Sequence, residues 1–435
     1  MKRYQAVFSA LFLAGLFSLS ALNLYRERDA LQKKIQDIER PKVASEYKKY
    51  TKQLDGILSQ TLVDGHRWNE LYGTVYRALG KNEENSFKYV RDEDSVLYSG
   101  NFYNNSNLSA PGIAGRMRRL QDSLKDKGTK LVVIMYPTKF REDWSRGYYG
   151  IPYNNLNAYG DEVLRYLRRY DVDYVDVREI FRNADMKAKD IFYRTDHHWT
   201  VPSAFYATGK IIDHLNQKFD ANLDPDGKYR DLNNYTVERY AHIYMGSQGR
   251  DTGQIYARAL DDYTFIYPKF DTNYRYYSRY RGGKERTVDG NIEKTLIERN
   301  YLDVSDPYDR EMNNGYLQGI VRYDQIENKL NPNGPTALFI RDSYSSPVAT
   351  FLSPMFSRIE LLWSLHFSRP ETEAFRRCSR KSILTMSSWH LRWITSPMRA
   401  HRSIPMTRKR RKTEMPMWLR RDRIPLRTER GGDRT

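Results

Sequence analysis

The 435-residue chain has one cysteine, Cys378. An intrachain disulfide is thereby excluded, and so is a zinc site built from cysteines. Long apolar runs are almost as scarce. Only one uncharged stretch, Tyr4–Tyr25, is long enough to cross a bilayer, which excludes a polytopic membrane protein. The G-x-S-x-G elbow of ordinary α/β-hydrolases is missing, and so is the H-E-x-x-H helix of zinc metalloproteases. What the chain has in abundance is aromatic: 35 Tyr, 17 Phe and 7 Trp. With 40% hydrophobic residues, that supply can bury a core, and wholesale disorder is excluded too.

The net charge of +18 is not spread over the whole chain. Residues 376–435 hold 18 of the 72 Lys and Arg but 4 of the 54 Asp and Glu, so the preceding 375 residues are close to balanced. This segment also lacks Tyr, Phe, Val and Asn, while holding 5 of the 12 Met, 3 of the 7 Trp and Cys378. It shows no helical or strand period. One reading is a basic arm for an anionic polymer, centred on Thr407–Lys412. The other is translation in a shifted reading frame, which the simultaneous change in all amino-acid usage favours. Either way 376–435 is expected to be a disordered tail, and no nucleic-acid partner is expected.

Lys2 and Arg3 precede the apolar centre Ala6–Leu24. As a helix these residues rise about 28 Å at 1.5 Å each, close to the hydrocarbon thickness. Residues 1–25 therefore read as a signal-anchor or a signal peptide, with Ser18–Ala21 offering small residues for cleavage. Both readings put the body outside the cytoplasm, either membrane-anchored through a single span or secreted. Residues 26–85 read as a helical stalk or linker, with Leu24, Leu31, Ile35 and Ile38 on one helical stripe that Pro41 interrupts.

From 86 to 375 the pattern is α/β. Met117–Lys127, Asp161–Tyr170 and Pro202–Phe219 read as helices. Lys130–Pro137, Val172–Val177, Ala337–Tyr344 and Arg358–Trp363 read as buried strands. Apolar strands joined by helices imply a parallel sheet covered on both faces, with ligands beyond the carboxyl ends of its strands. Near 240–283 the alternation gives way to a Tyr-rich stretch, read as an insertion of antiparallel strands. Its rings either stack on sugars or simply line a half-buried β surface.

Two segments hold the candidate chemistry. Asp196, His197 and His198 lie in TDHHWT (Thr195–Thr200), and Ser343 lies in RDSYSS (Arg341–Ser346), directly after a buried strand. A serine hydroxyl needs a base within hydrogen-bond reach, and that base needs a partner to fix its tautomer. Asp196 and His198, two residues apart, can point the same way in an extended or irregular segment. The competing readings are a partial metal site, a structural His pair beside Trp199, and a helix cap at Asp342–Ser343. No third metal ligand is evident nearby, and no metal or soluble cofactor is expected.

TDHHWT resembles the signature of the DHHW family, which is similar to the alginate O-acetyltransferases AlgX and AlgJ among SGNH-hydrolase-like proteins. VVIMYPTKF (132–140), YMGSQGRDTG (244–253), DDYTFIYP (261–268) and FIRDSYSSP (339–347) match the family in the expected order, so the likeness covers roughly 86–375. The resemblance implies an SGNH-hydrolase-like α/β fold, Ser343 as nucleophile, His198 as base and Asp196 as its orienting acid. The Asp-x-His pattern selects His198 over His197. Lys139 and Arg341 are candidate substrate contacts; Arg341 stands where a Gly-Asp-Ser block has Gly. A second departure from the family is the carboxyl end: its last strand should follow Phe375, but the usage changes there and the strand reads as missing. The implied activity is O-acetylation of a cell-surface or exopolysaccharide, with a membrane-bound O-acyltransferase as the source of acetyl groups. The alternatives are a carbohydrate esterase with the same triad and a non-catalytic glycan-binding protein.

Overall fold

The computed structural model describes residues 2–363, apart from 37, 39, 42, 61–64, 101–108, 281–282, 318 and 320, together with the strand at 382–387. Helix α1 (Lys2–Arg26) contains the apolar run, and Tyr4–Arg26 is long and apolar enough to cross a membrane, with none of it buried. Helices α2 (Arg28–Gln36), α3 (Tyr47–Gln60) and α4 (Gly65–Ala78) follow, and Pro41 falls between α2 and α3.

The expected boundary at 86 comes too late, because α4 is already part of the body. Asn69 donates to the carbonyl of Arg250 at 2.8 Å, and the Glu70 carboxylate accepts the N–H of Gln254 at 2.5 Å. A Cβ at Gly73 would lie 2.1 Å from the Thr252 carbonyl oxygen; only a glycine permits this approach. Strands β1 (Glu83–Glu84), β2 (Tyr89–Arg91) and β3 (Leu97–Ser99) then form a small antiparallel sheet.

The central layer starts after α5 (Ala110–Lys125), which is capped by the Ser109 side chain and has Pro111 in its first turn. In chain order come β4 (Lys130–Met135), α6 (Leu156–Arg169), β5 (Tyr174–Asp176), α7 (Val177–Asn183), α8 (Ala188–Ile191) and α9 (Val201–Phe219). Strands β6 (Tyr235–Tyr244) and β7 (Asp261–Pro268) form a separate antiparallel pair, with α10 (Ser247–Thr252) and α11 (Gln254–Ala257) between them. Last come β8 (Tyr274–Arg279), β9 (Glu285–Gly290), α12 (Ile292–Leu296), β10 (Tyr323–Asn328), β11 (Thr336–Ile340), α13 (Ser345–Leu352), β12 (Arg358–Leu362) and β13 (Ser382–Ser387).

Eight strands make one sheet in the order β5-β4-β13-β11-β12-β10-β8-β9. The first five are parallel, as expected, while β10, β8 and β9 continue the sheet antiparallel. The link between β8 and β9 is too short for a crossover and can only reverse the chain. The Tyr-rich stretch is therefore divided: one part is the β6–β7 pair and the other extends the main sheet.

The segment set aside as a structureless tail contributes β13. Its backbone pairs with β11 on one side and β4 on the other, for example Leu384 with Leu338 and with Leu131. Six residues, SILTMS, suffice for a strand of this length, and the surrounding Arg-rich composition hides them. The rest of 364–435 lies outside the described residues.

Both faces of the parallel portion are covered. On β4, Val132 and Ile134 enter one core while Leu131, Val133 and Met135 enter the other; on β11, Phe339 and Leu338 divide the same way. The first core receives Ile211 and Leu215 of α9 and Val348 and Leu352 of α13, and the second receives Met117 and Leu120 of α5 and Leu167 of α6. Each such buried side chain stabilises the fold by roughly 1.5–3 kcal/mol relative to exposure. This layering fixes the carboxyl ends of β4 and β11 side by side with β13 between them, and the site lies there.

Candidate active site

Strand β11 ends at Ile340, and α13 begins at Ser345. Ser343 sits half-buried in the turn between them, where its hydroxyl leaves the sheet edge. Asp196 and His198 occupy the loop between α8 and α9. That loop is closed at its neck by a Phe192–Trp199 bridge, by the Tyr193 N–H donating to the His198 carbonyl at 3.1 Å, and by the Thr200 N–H donating to the Ile191 carbonyl at 2.8 Å. Thr200 then caps α9 through its hydroxyl, with Pro202 in the first turn.

The fold brings the three sequence candidates together. His198 Nδ1 is 2.5 Å from Asp196 Oδ1, and His198 Nε2 is 2.6 Å from Ser343 Oγ. Asp196 is fully buried, and the His198 side chain is 12% exposed. Burial opposes ionisation of Asp196. The adjacent His198 and His197 rings, with the bonds from His198 and the Ser247 N–H, overcome it and hold the carboxyl well below the usual range. An ionised carboxylate only accepts, so His198 Nδ1 donates to Asp196, and Nε2 is the ring nitrogen that faces the serine hydroxyl.

Residues that the sequence reading did not single out complete the setting of Asp196. The Ser247 N–H donates to Oδ2 at 2.7 Å, and the His198 N–H donates to Oδ1 at 2.9 Å. Asn313 Nδ2 stands 3.5 Å from Oδ2. Asp261 takes the N–H groups of Arg194 (2.7 Å) and Thr195 (2.8 Å) and the Thr195 hydroxyl (2.6 Å). The Thr195 hydroxyl in turn accepts the Gly246 N–H at 2.8 Å. Gly246, Ser247 and Asp261 lie in 244–253 and 261–268, the segments that resemble the family; nothing in the sequence points to Asn313.

His197 stands differently. Its side chain is 46% exposed, its Nδ1 is 3.5 Å from Asp196 Oδ1, and its ring lies 3.9 Å from that of His198. Desolvation and the neighbouring His198 lower its pKa to about 4, although with the ring nearly half open that desolvation is partial. Asp196, His197 and His198 place one ligating atom each within 4.8 Å of one another. Both Asp196 oxygens are already taken by N–H donors, so a cation there would have to displace them. Tyr344 donates its hydroxyl to the His197 carbonyl and packs its ring 5.5 Å from that of His198, with Trp199 and Tyr136 behind it.

Neither candidate substrate contact offers a charge to solvent. Arg341 is fully buried and ion-paired with the equally buried Asp324, and it also donates to the Ser346 hydroxyl at 2.9 Å. Lys139 is 6% exposed, and its ammonium donates to protein acceptors at 2.6, 3.0 and 3.2 Å. The sequence reading of both as substrate contacts is replaced by structural ones: a buried guanidinium or ammonium stays only where protein groups satisfy it.

Residues 94–260 match the family model described as the SGNH hydrolase-like domain of the acetyltransferase AlgX. The matched segment holds Lys139, Asp196, His198 and Gly246 and stops short of Ser343. No curated protein matches significantly. Among solved structures, Bacillus cereus PatB1 superposes with a TM-score of 0.55 at 17% identity, over 70% of this chain and 96% of that one. PatB1 with a sulfonyl adduct gives 0.54 at 17% identity, over 69% and 93%. A DHHW family protein from Eubacterium siraeum gives 0.50 at 15% identity, over 70% and 91%. At these identities the superpositions speak for the fold alone: the body of this chain shares its fold with PatB1 and the DHHW family protein, and residues 94–260 are similar to the SGNH hydrolase-like domain of the AlgX model.

Proposed function

We propose that the chain is an extracytoplasmic O-acetyltransferase that acylates hydroxyls of a cell-surface or exported polysaccharide through Ser343, His198 and Asp196. The observation that carries the reading is the continuous chain Asp196–His198–Ser343, with links of 2.5 and 2.6 Å. In the first step Ser343 Oγ gives its proton to His198 Nε2 and attacks the acetyl carbonyl. The tetrahedral oxyanion collapses, the donor's leaving group departs with the proton from His198, and acetyl-Ser343 remains. Backbone N–H groups at the turn into α13 supply the oxyanion contacts. In the second step a sugar hydroxyl gives its proton to His198 and attacks the acetyl-serine, and Ser343 recovers its proton as the sugar ester leaves. Asp196 holds the ring and stabilises the imidazolium in both steps.

The exposed apolar helix α1 supports an extracytoplasmic body held at or passed through a membrane. It suits acetyl delivery by a membrane-bound O-acyltransferase, the donor that the family resemblance suggests. An esterase would use the same steps with water as acceptor. The test is to incubate the purified chain with a chromogenic acetyl ester and polysaccharide fragments. Acetylated sugar is expected, and Ser343→Ala should lower turnover by ~10⁴-fold or more. Free acetate without acetylated sugar would overturn the transferase reading, and turnover retained in Ser343→Ala would overturn the serine mechanism.

A further inference from the structure

The loop bearing Asp196 and His198 is held by two buried groups of opposite sign. Asp261 gathers the N–H groups of Arg194 and Thr195 and the Thr195 hydroxyl. Lys139, just beyond the carboxyl end of β4, gathers carbonyls: its Nζ donates to Arg194 O at 3.0 Å and to Asp196 O at 2.6 Å, with Gln248 Oε1 at 3.2 Å as the third acceptor. The remaining carbonyl, of Thr195, accepts the Gly249 N–H at 2.9 Å. Lys139 is itself pinned, because its own carbonyl accepts Trp144 Nε1 at 3.0 Å and its ammonium lies 5.6 Å over the Tyr98 ring.

We propose that the Lys139 ammonium is the positioning group of the catalytic loop, holding the 194 and 196 carbonyls so that the Asp196 carboxylate stays aligned with His198, and that loss of one proton from it loosens the loop and lowers Ser343 reactivity. The proposal rests on the triad reading and adds a positioning residue and a pH response to it. An ammonium has three N–H donors for three acceptors. A neutral amine has two donors and a lone pair, so one acceptor oxygen would then face a lone pair. The charged groups around Nζ are the carboxylates of Asp261, Asp196 and Asp92 and the guanidinium of Arg194. Burial drives the Lys139 pKa down, the three carboxylates resist, and the result is about 7. The change of state therefore falls near neutral pH.

The test uses the full chain and the rate at which a small sulfonyl fluoride labels Ser343, followed by mass spectrometry from pH 5.5 to 9.5. This readout needs no polysaccharide or acetyl donor. In the wild type the labelling rate should fall on the alkaline side in a one-proton step. Lys139→Met should label at least ~10-fold more slowly, by the sensitivity of such sites to small misplacement, and should show no alkaline step. Lys139→Arg, which keeps its proton throughout, should recover part of the rate and hold it to pH 9.5. Wild-type rate and an unchanged alkaline step in Lys139→Met would overturn the proposal. If neither variant folds, a wild-type profile without an alkaline fall overturns it on its own. Labelling that persists in Ser343→Ala would instead mark failure of the triad reading.

Discussion

Gly246 lies directly against the side chain of Asp196: a Cβ built at 246 would stand 2.2 Å from Asp196 Cβ and 2.6 Å from its Oδ2. The backbone at 246 has φ −73°, which any residue adopts, so the requirement for glycine here is spatial. Gly246→Ala should push the carboxylate away from His198. The expected cost is about 1–3 kcal/mol of stability from overpacking, and Ser343 labelling should slow by roughly 10²-fold if the carboxylate moves by about 1 Å. Thermal melts and labelling kinetics on one preparation check both. A variant that melts lower yet labels at the wild-type rate would show that Asp196 tolerates displacement.

The two histidines are separable by mutation. Asp196→Asn preserves shape but allows the wrong imidazole tautomer, and turnover should fall by ~10³–10⁴-fold. His198→Ala should do at least as much damage, because Nε2 is the group facing Ser343. His197→Ala removes a ring that is nearly half exposed and whose Nδ1 stands 3.5 Å from Asp196 Oδ1, against 2.5 Å for His198, so its loss should be much smaller. Equal losses in the two histidine variants would contradict the assignment of the base.

The parts of the site that were legible in the sequence are those with a local signal. Asp196 and His198 are two residues apart, and Ser343 follows a strand whose apolar run ends abruptly. The rule that ligands bind beyond the carboxyl ends of parallel strands pointed to the Ser343 segment, while Asp196 and His198 stood out by their residue types and spacing. What supports them was not legible, because it acts across long separations or through the backbone. Ser247 reaches Asp196 with its N–H from 51 residues away, and Asp261 reaches Thr195 from 66 residues away. Lys139 binds mainly main-chain carbonyls, which have no residue identity to read. β10 is hidden because YDQIEN looks polar, although Asp324 on it is the buried partner of Arg341. β13 is hidden by the Arg-rich composition on either side of it.

The Arg341–Asp324 pair makes a stability prediction. Both side chains are fully buried, Tyr276 donates its hydroxyl to Asp324 at 2.8 Å, and burial raises the Asp324 pKa to about 6 despite the guanidinium beside it. Asp324→Asn leaves the Arg341 charge without its counter-ion and should cost roughly 3–5 kcal/mol in denaturant unfolding. Replacing both residues by apolar side chains of similar volume should cost much less, because desolvation of the two charges then disappears together. If the double variant is no more stable than Asp324→Asn, the pair contributes more than its buried charge.

Glu84 predicts a pH dependence of stability. It is fully buried on β1, and neither carboxylate oxygen has a hydrogen-bond partner among the described residues. Burial first, then the like charges of Glu83 and Asp251, push its pKa up to about 8, from an ordinary value of 4.5. Between those two values the folded chain holds the proton that the unfolded chain has lost. The contribution of Glu84 to stability is therefore fully present below pH 4.5 and is lost as pH rises through 8. Glu84→Gln carries no titrating group, so its melting temperature should fall less steeply than that of the wild type from pH 5 to 8. The difference between the two curves should be widest at and above pH 8. Parallel curves across that window would mean that Glu84 ionises in the fold without penalty.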